Sequence, residues 1–264
     1  MSIQGYWANH KAPDFRDLPD DLVAVLPIGA TEQHGPHLPV SVDSDLVAAV
    51  VERTLPRLHA EQNVLILPGL TVTKSGEHDR HPGTLSLSAD TLLAVLRDIG
   101  ASIARAGVQR LVLFNGHGGN TALLDIAARD LRIAHEMIVV TCSWFGFSDW
   151  ESILDPDAAS VDLHAGEAET SSMLAAKPHL VNMSRAQNFV PAIRDWEKQF
   201  NHIGLTGQAA RPGWIIDDLH PDGACGDASA ATLEKGERLL DTAADNFAQF
   251  LAEFARFDHR SGAT

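Results

Sequence analysis

The stretch Thr31-Glu-Gln-His-Gly-Pro-His-Leu-Pro-Val-Ser-Val-Asp43 constrains this chain most. An apolar run, Leu22 to Ile28, precedes it, and a helical spacing of apolar residues from Leu46 to Leu58 follows. A short continuous apolar run is the pattern of a strand covered on both faces. Between strand and helix the chain sets Glu32, His34, His37 and Asp43 around Gly35, Pro36 and Pro39. That composition is poor for a core and suited to holding a cation. Ser44 or Asp43 can cap the helix that follows.

The same order recurs downstream. Val64 to Leu67 reads as a second buried strand, ended by Pro68-Gly69, and Thr71 to Gly83 as a polar loop. Ser88 caps a helix that stops at Gly107. Val108 to Phe114 is a third strand, running into Asn115-Gly-His-Gly-Gly-Asn120 and then a helix carrying Leu123, Leu124 and Leu131. Met137 to Thr141 is a fourth strand. Repeated strand–loop–helix units predict an α/β fold of three layers: a mostly parallel central sheet flanked by helices on both faces. Ligands of such sheets sit beyond the carboxyl ends of the strands. The His-bearing loops after the first and third strands both fall there.

Elsewhere, residues 1–20 read as a lead-in segment and 150–163 as an irregular insertion. His164 to Ala176 reads as a helix with an acidic first turn, and Ser229 to Phe257 as a final amphipathic helix. Residues 178–226 are rich in Pro and Gly without periodicity and hold Trp196, Trp214 and Asn201-His202, the kind of span that serves function or subunit contact. No internal repeat interrupts this order, and one domain over 1–264 is expected.

The formal charge of −15 argues against a nucleic-acid partner, which requires a basic face. Two cysteines far apart, Cys142 and Cys225, make no disulfide framework. The first residues lack a signal-like apolar core, and no apolar run approaches the roughly 20 residues needed to span a bilayer. A cytoplasmic enzyme without membrane contact is the expectation.

Three clusters carry the chemistry. In an extended segment Glu32 and His34 face one side, and Asp43 returns to it. A carboxylate–imidazole set suits Zn, Mn or Fe, though a solvated loop with a helix cap explains the same residues. His117 lies within glycines that let the chain turn sharply and let a substrate approach. A plain turn or an anion site at a helix N-terminus would look similar. In the third cluster, His164-Ala-Gly-Glu167-Ala-Glu169, the two glutamates point about 200° apart on a helix. Glu169 shares the buried face with Met173 and needs a partner there. Two solvated glutamates in a first turn are the plainer account.

Taken together, the motifs Glu-Gln-His-Gly-Pro-His-Leu-Pro…Asp43, Glu77-His78…His81-Pro-Gly-Thr84, Asn115-Gly-His-Gly-Gly-Asn120 and His164-Ala-Gly-Glu-Ala-Glu-Thr-Ser resemble the creatininase family in order and spacing. Gly223-Ala-Cys-Gly-Asp227 with Ala-Thr-Leu-Glu-Lys-Gly236 resembles its C-terminal motif. The resemblance implies a homohexameric, two-metal amidohydrolase that cleaves a C–N bond of a small cyclic amide or formamide. It implies one divalent ion, Zn or Mn, on Glu32, Asp43 and His117, and another on His34, Asp43 and Glu169. It implies His164 as proton donor with Glu167 as a relay, and Ser75, Glu77, His78, Gly118 and Trp144 near the substrate. Creatininase has another Glu two residues after the His matching His117, where this chain has Gly119, so the resemblance leaves the second-metal ligand open between Glu169 and Glu167. Creatininase carries Trp-Asp where this chain has Ser160-Val161 and Tyr where it has Gly118, so a substrate other than creatinine is expected. Cleavage of a non-amide bond (a cyclic ketone, lactone or ester) and a non-catalytic metal-binding assembly protein are the alternatives. A Ser-His-Asp hydrolase is disfavoured by the lack of a Gly-x-Ser-x-Gly elbow.

Overall fold

A computed structural model of the chain describes residues 2–260. Its main sheet holds β1 (Gln4–Tyr6), β2 (Val23–Ile28), β3 (Val64–Ile66), β4 (Arg110–Asn115) and β5 (Ile138–Ser143). The order is β1-β3-β2-β4-β5, and every pairing is parallel. The helices are α1 (Val42–Thr54), α2 (Ala89–Arg105), α3 (Thr121–His135), α4 (Pro156–Ala159), α5 (Glu167–Ala176), α6 (Ile193–Gln199), α7 (Ile216–Leu219) and α8 (Leu233–Phe254). A short antiparallel pair, β6 (Asn188–Phe189) and β7 (Gly226–Asp227), lies apart from the main sheet.

Alternation along the buried strands divides the core into two layers. Val23 and Val25 of β2 and Val112 and Phe114 of β4 meet α1, α5 and α8. Ala24, Leu26 and Ile28 with Leu111 and Leu113 meet α2 and α3. Helices therefore cover both faces, as the sequence predicts.

Several boundaries differ from the sequence reading. β1 appears where a lead-in segment was expected. Three residues including Gly5 carry no periodicity; Asn63 Oδ1, which accepts from the Ile3 N–H at 2.9 Å, helps hold the edge. α1 begins at Val42, so Asp43 lies inside its first turn rather than capping it. α1 ends at Thr54 instead of Leu58, because Pro56 has no N–H to continue the ladder. His164 precedes α5 instead of opening it. The final helix starts at Leu233, where the Thr232 hydroxyl accepts from the Lys235 N–H at 3.2 Å. Gly236 lets α8 lie directly on α5: a Cβ there would overlap the Ser171 carbonyl oxygen.

Candidate metal centre

Sheet order assembles the site. β2 and β4 are neighbours in a register that pairs Ile28 with Asn115, so the two His-bearing loops leave adjacent strand ends. The Gly116 N–H donates to the Ile28 carbonyl at 2.7 Å. A side chain at 116 would collide with the Asp43 carbonyl oxygen, so only glycine lets the His117 loop rest on the first turn of α1. Asn115 clamps the next turn. Its Oδ1 accepts from the His117 N–H at 3.1 Å and its Nδ2 donates to the His117 carbonyl at 2.6 Å.

The third arm arrives through His164, which exchanges backbone hydrogen bonds with Cys225. Ala165 follows at φ 55°, in the left-handed region that a residue with a Cβ rarely visits. Its N–H donates to Glu169 Oε2 at 2.6 Å, which aims that carboxylate at His34.

These arms bring five side chains together. His34 Nε2 lies 3.3 Å from Asp43 Oδ1 and 3.7 Å from Glu169 Oε2. His117 Nδ1 lies 3.2 Å from Glu32 Oε1 and 3.3 Å from Asp43 Oδ2. Donor atoms of Glu32, Asp43 and His117 fall within 4.8 Å of one another, as do those of His34, Asp43 and Glu169. Glu32, His34 and His164 form a third such group, with His164 Nδ1 at 3.6 Å from Glu32 Oε1.

The outer nitrogens fix the tautomers. His34 Nδ1 donates to the Glu32 carbonyl at 3.0 Å, His117 Nε2 to the Lys74 carbonyl at 3.0 Å, and His164 Nε2 to the Gln33 carbonyl at 2.8 Å. A carbonyl can only accept, so each neutral ring turns a lone pair inward. This backing is typical of metal-ligating histidines.

The charges are consistent with a cation. Burial alone would raise Asp43, but His34 and His117 outweigh it and hold the carboxyl well below its ordinary range. Burial would lower His34, but Asp43 and Glu169 raise it to about 9. Burial likewise opposes the charge on His117, and Glu32 and Asp43 again prevail, raising it well above its ordinary value. Burial is the main cause that raises Glu32, and burial raises Glu169 to about 7. Among the described residues, both oxygens of Glu32, Asp43 Oδ2 and His34 Nε2 are buried without a hydrogen-bond partner. Buried carboxylate oxygens left unpaired are costly. Divalent cations at these donor sets would satisfy them, so the residues fit the metals that the sequence reading expects.

A cavity of about 420 Å³ opens onto the cluster. Glu32, Asp43, His117, His164 and Glu169 lie on its wall, as do Glu77, His78 and Gly118. Ser75 is buried behind it, with its Oγ 3.5 Å from His117 Nε2. Two expected residues lie elsewhere. Trp144 is part of the core beneath the sheet. Glu167 is buried in an ion pair with Lys235 of α8. The outer wall instead uses Leu205, Arg211 and Trp214 from the aperiodic 178–226 segment. Trp214 is anchored there on Ile216, Leu219 and Cys225. Sequence reasoning singled out Trp196, Trp214 and Asn201-His202 in that segment without assigning them to the site, because no periodicity places them. It also passed over Gln33, which touches both His78 and His164.

An α/β chain with carboxylates and imidazoles converging beyond its strand ends defines a metallohydrolase class. Residues 8–251 match the creatininase family, described as creatinine amidohydrolase. The chain belongs to this family of hydrolases. It is 33% identical over 273 residues to the creatinine amidohydrolase of Pseudomonas putida, covering 94% of each chain. It is 32% identical over 238 residues to the mycofactocin precursor peptide peptidase of Mycobacterium tuberculosis, covering 87% of this chain and 84% of the relative. A 3-dehydro-scyllo-inosose hydrolase of Thermotoga maritima is 27% identical over 250 residues, with 84% and 75% covered. Among solved structures, a manganese creatininase superposes with a TM-score of 0.75 at 29% identity, covering 97% of this chain and 100% of that one. A Zn–Zn form of a creatininase variant superposes with a TM-score of 0.70 at 31% identity, covering 90% and 92%.

Proposed function

We propose that this chain is a dinuclear-metal amidohydrolase that cleaves the C–N bond of a small cyclic amide or formamide. Glu32, Asp43 and His117 would hold one divalent ion, and His34, Asp43 and Glu169 the other, with Zn or Mn as the metals. The observation that carries this reading is the division of Asp43: one oxygen faces His34 and the other faces His117. When bound, two such ions polarise a substrate carbonyl and make a water nucleophilic at neutral pH.

The chain's own residues handle the proton. Burial holds His164 well below its ordinary pKa, so its ring is neutral, and Nδ1 faces the cavity as an acceptor. It takes the proton that the attacking water gives up and returns it to the leaving nitrogen. The role differs from that of a resident donor, because the backing carbonyl of Gln33 claims the ring's only N–H. We assign Glu167 to the α5–α8 contact rather than to a relay, since Lys235 occupies its carboxylate.

The substrate is an amide other than creatinine. Gly118 brings no side chain to the wall, and Ser160 and Val161 do not line it. Trp214, Leu205 and Arg211 give it a different surface from another segment. A homohexamer in the cytoplasm completes the reading, and light scattering would check the assembly.

Protein stripped of metal should cleave no member of a panel of N-formyl compounds and cyclic amides. Zn or Mn should restore cleavage, read as formate plus an amine from an N-formyl compound and as a single ring-opened product one water heavier from a cyclic amide. Undiminished activity after chelation would contradict the metal requirement. Products without a new N–H group and its carboxylate or formate partner, whether separate or within one ring-opened molecule, would favour a non-amide bond.

A further inference from the structure

Gln33 lies between Glu32 and His34, yet its side chain turns toward His78 and His164. Its amide has a single sensible orientation. Oε1 accepts from the Gly35 N–H at 3.0 Å, and Nε2 donates to the Gly223 carbonyl at 2.8 Å. A flipped amide would set acceptor against acceptor and donor against donor. The second N–H of Nε2 therefore reaches His78 Nδ1, 2.8 Å away, which must accept. The main-chain carbonyl of the same residue accepts from His164 Nε2.

One residue thus holds two neighbouring rings, 4.4 Å apart between centroids, in the same Nε2–H tautomer but with opposite ends turned to the cavity. His164 turns a lone pair to the cavity, and His78 turns an Nε2–H. Among the described residues that N–H makes no hydrogen bond. The nearest carboxylate oxygen, Glu32 Oε1, is 3.4 Å away and has no hydrogen-bond partner. His78 is buried, lines the cavity, and has no part in the proton transfer above.

We infer that His78 is a catalytic residue, a neutral hydrogen-bond donor to the substrate oxygen that gains negative charge, and that Gln33 is the positioning residue that fixes its tautomer. The identity of that oxygen rests on the amidohydrolase reading; the tautomer does not. No proton is transferred: the donor stabilises charge from a fixed position, which costs no reorganisation during the reaction.

Two measurements test this. In zinc-loaded protein labelled with ¹⁵N, the His78 ring should show a protonated Nε2 and a bare Nδ1. Gln33→Leu should pull the two signals toward a tautomer average. The opposite tautomer in the native chain would overturn the proposal. In kinetics on an amide substrate, His78→Leu should retain both metals and keep KM within about threefold. Its kcat should fall by about 10²-fold, the usual effect of removing one such donor. His78→Gln, which keeps an N–H near the same place, should recover at least about tenfold of that loss. Equal impairment of the two variants, an unchanged kcat in His78→Leu, or loss of metal from both would overturn the donor role. If native metal-loaded protein cleaves no amide, the amidohydrolase reading fails and the donor role falls with it. The tautomer is then decided by the nitrogen spectrum alone.

Discussion

Asp43 turns its two oxygens toward different imidazoles, whereas Glu167, equally conspicuous in the sequence, is spent on Lys235. Helical geometry already separates Glu167 from Glu169, and it directs Glu169 inward. It could not show that a lysine of α8, 68 residues away, covers Glu167. Glu32→Gln and His117→Ala should each lower bound metal, as read by elemental analysis of purified protein; unchanged stoichiometry in either would remove it from the ligand set. Glu167→Gln should keep the full metal content and cost about 1–3 kcal/mol of stability, the penalty for breaking a buried charge-assisted hydrogen bond. Loss of metal from Glu167→Gln would return it to the site. Tautomers were not legible in the sequence. They depend on carbonyls of Glu32, Gln33 and Lys74 that fall into place only in the folded chain.

At the scale of elements, the buried strands and the helices that cover them were legible because parallel strands covered on both faces are apolar throughout. What periodicity could not supply was the order β3-β2-β4, which makes the two His-bearing loops neighbours. The short edge strand β1 and the outer wall around Trp214 were also beyond it, since neither has a repeating pattern. Close approach at the strand end depends on Gly116. Gly116→Ala should push the His117 loop off α1 and lower metal affinity by tenfold or more, or about 1.4 kcal/mol, while α2 and α3 keep their packing. Native affinity in a folded Gly116→Ala protein, measured by competition with a chelating dye, would contradict this account of how the loops meet.

Across the whole molecule, the metal-free chain carries buried protons that the metals would replace. His34 is raised to about 9 and His117 well above its ordinary value; outside the donor sets, desolvation pushes half-buried Asp162 up to about 8, a proton that metal would leave in place. A histidine whose folded pKa is raised contributes stability that is fully present below its unfolded pKa, about 6.5, and is lost as pH rises through the folded value. Asp162 acts in the same direction over this range, because the unfolded chain has already released its proton. Metal-free protein should therefore melt at progressively lower temperature from pH 7 to 9, and metal-loaded protein should show a flatter profile. A metal-free melting temperature that rises over that range would contradict the charge assignment.

The central claim is that one carboxylate joins two ions. It is tested most directly by anomalous diffraction from crystals of the Zn- or Mn-loaded protein, recorded at the metal's absorption edge. The account predicts two peaks in each chain, with one oxygen of Asp43 on each, one peak beside Glu32 and His117 and the other beside His34 and Glu169. A single peak, or two peaks that Asp43 does not join, would contradict it.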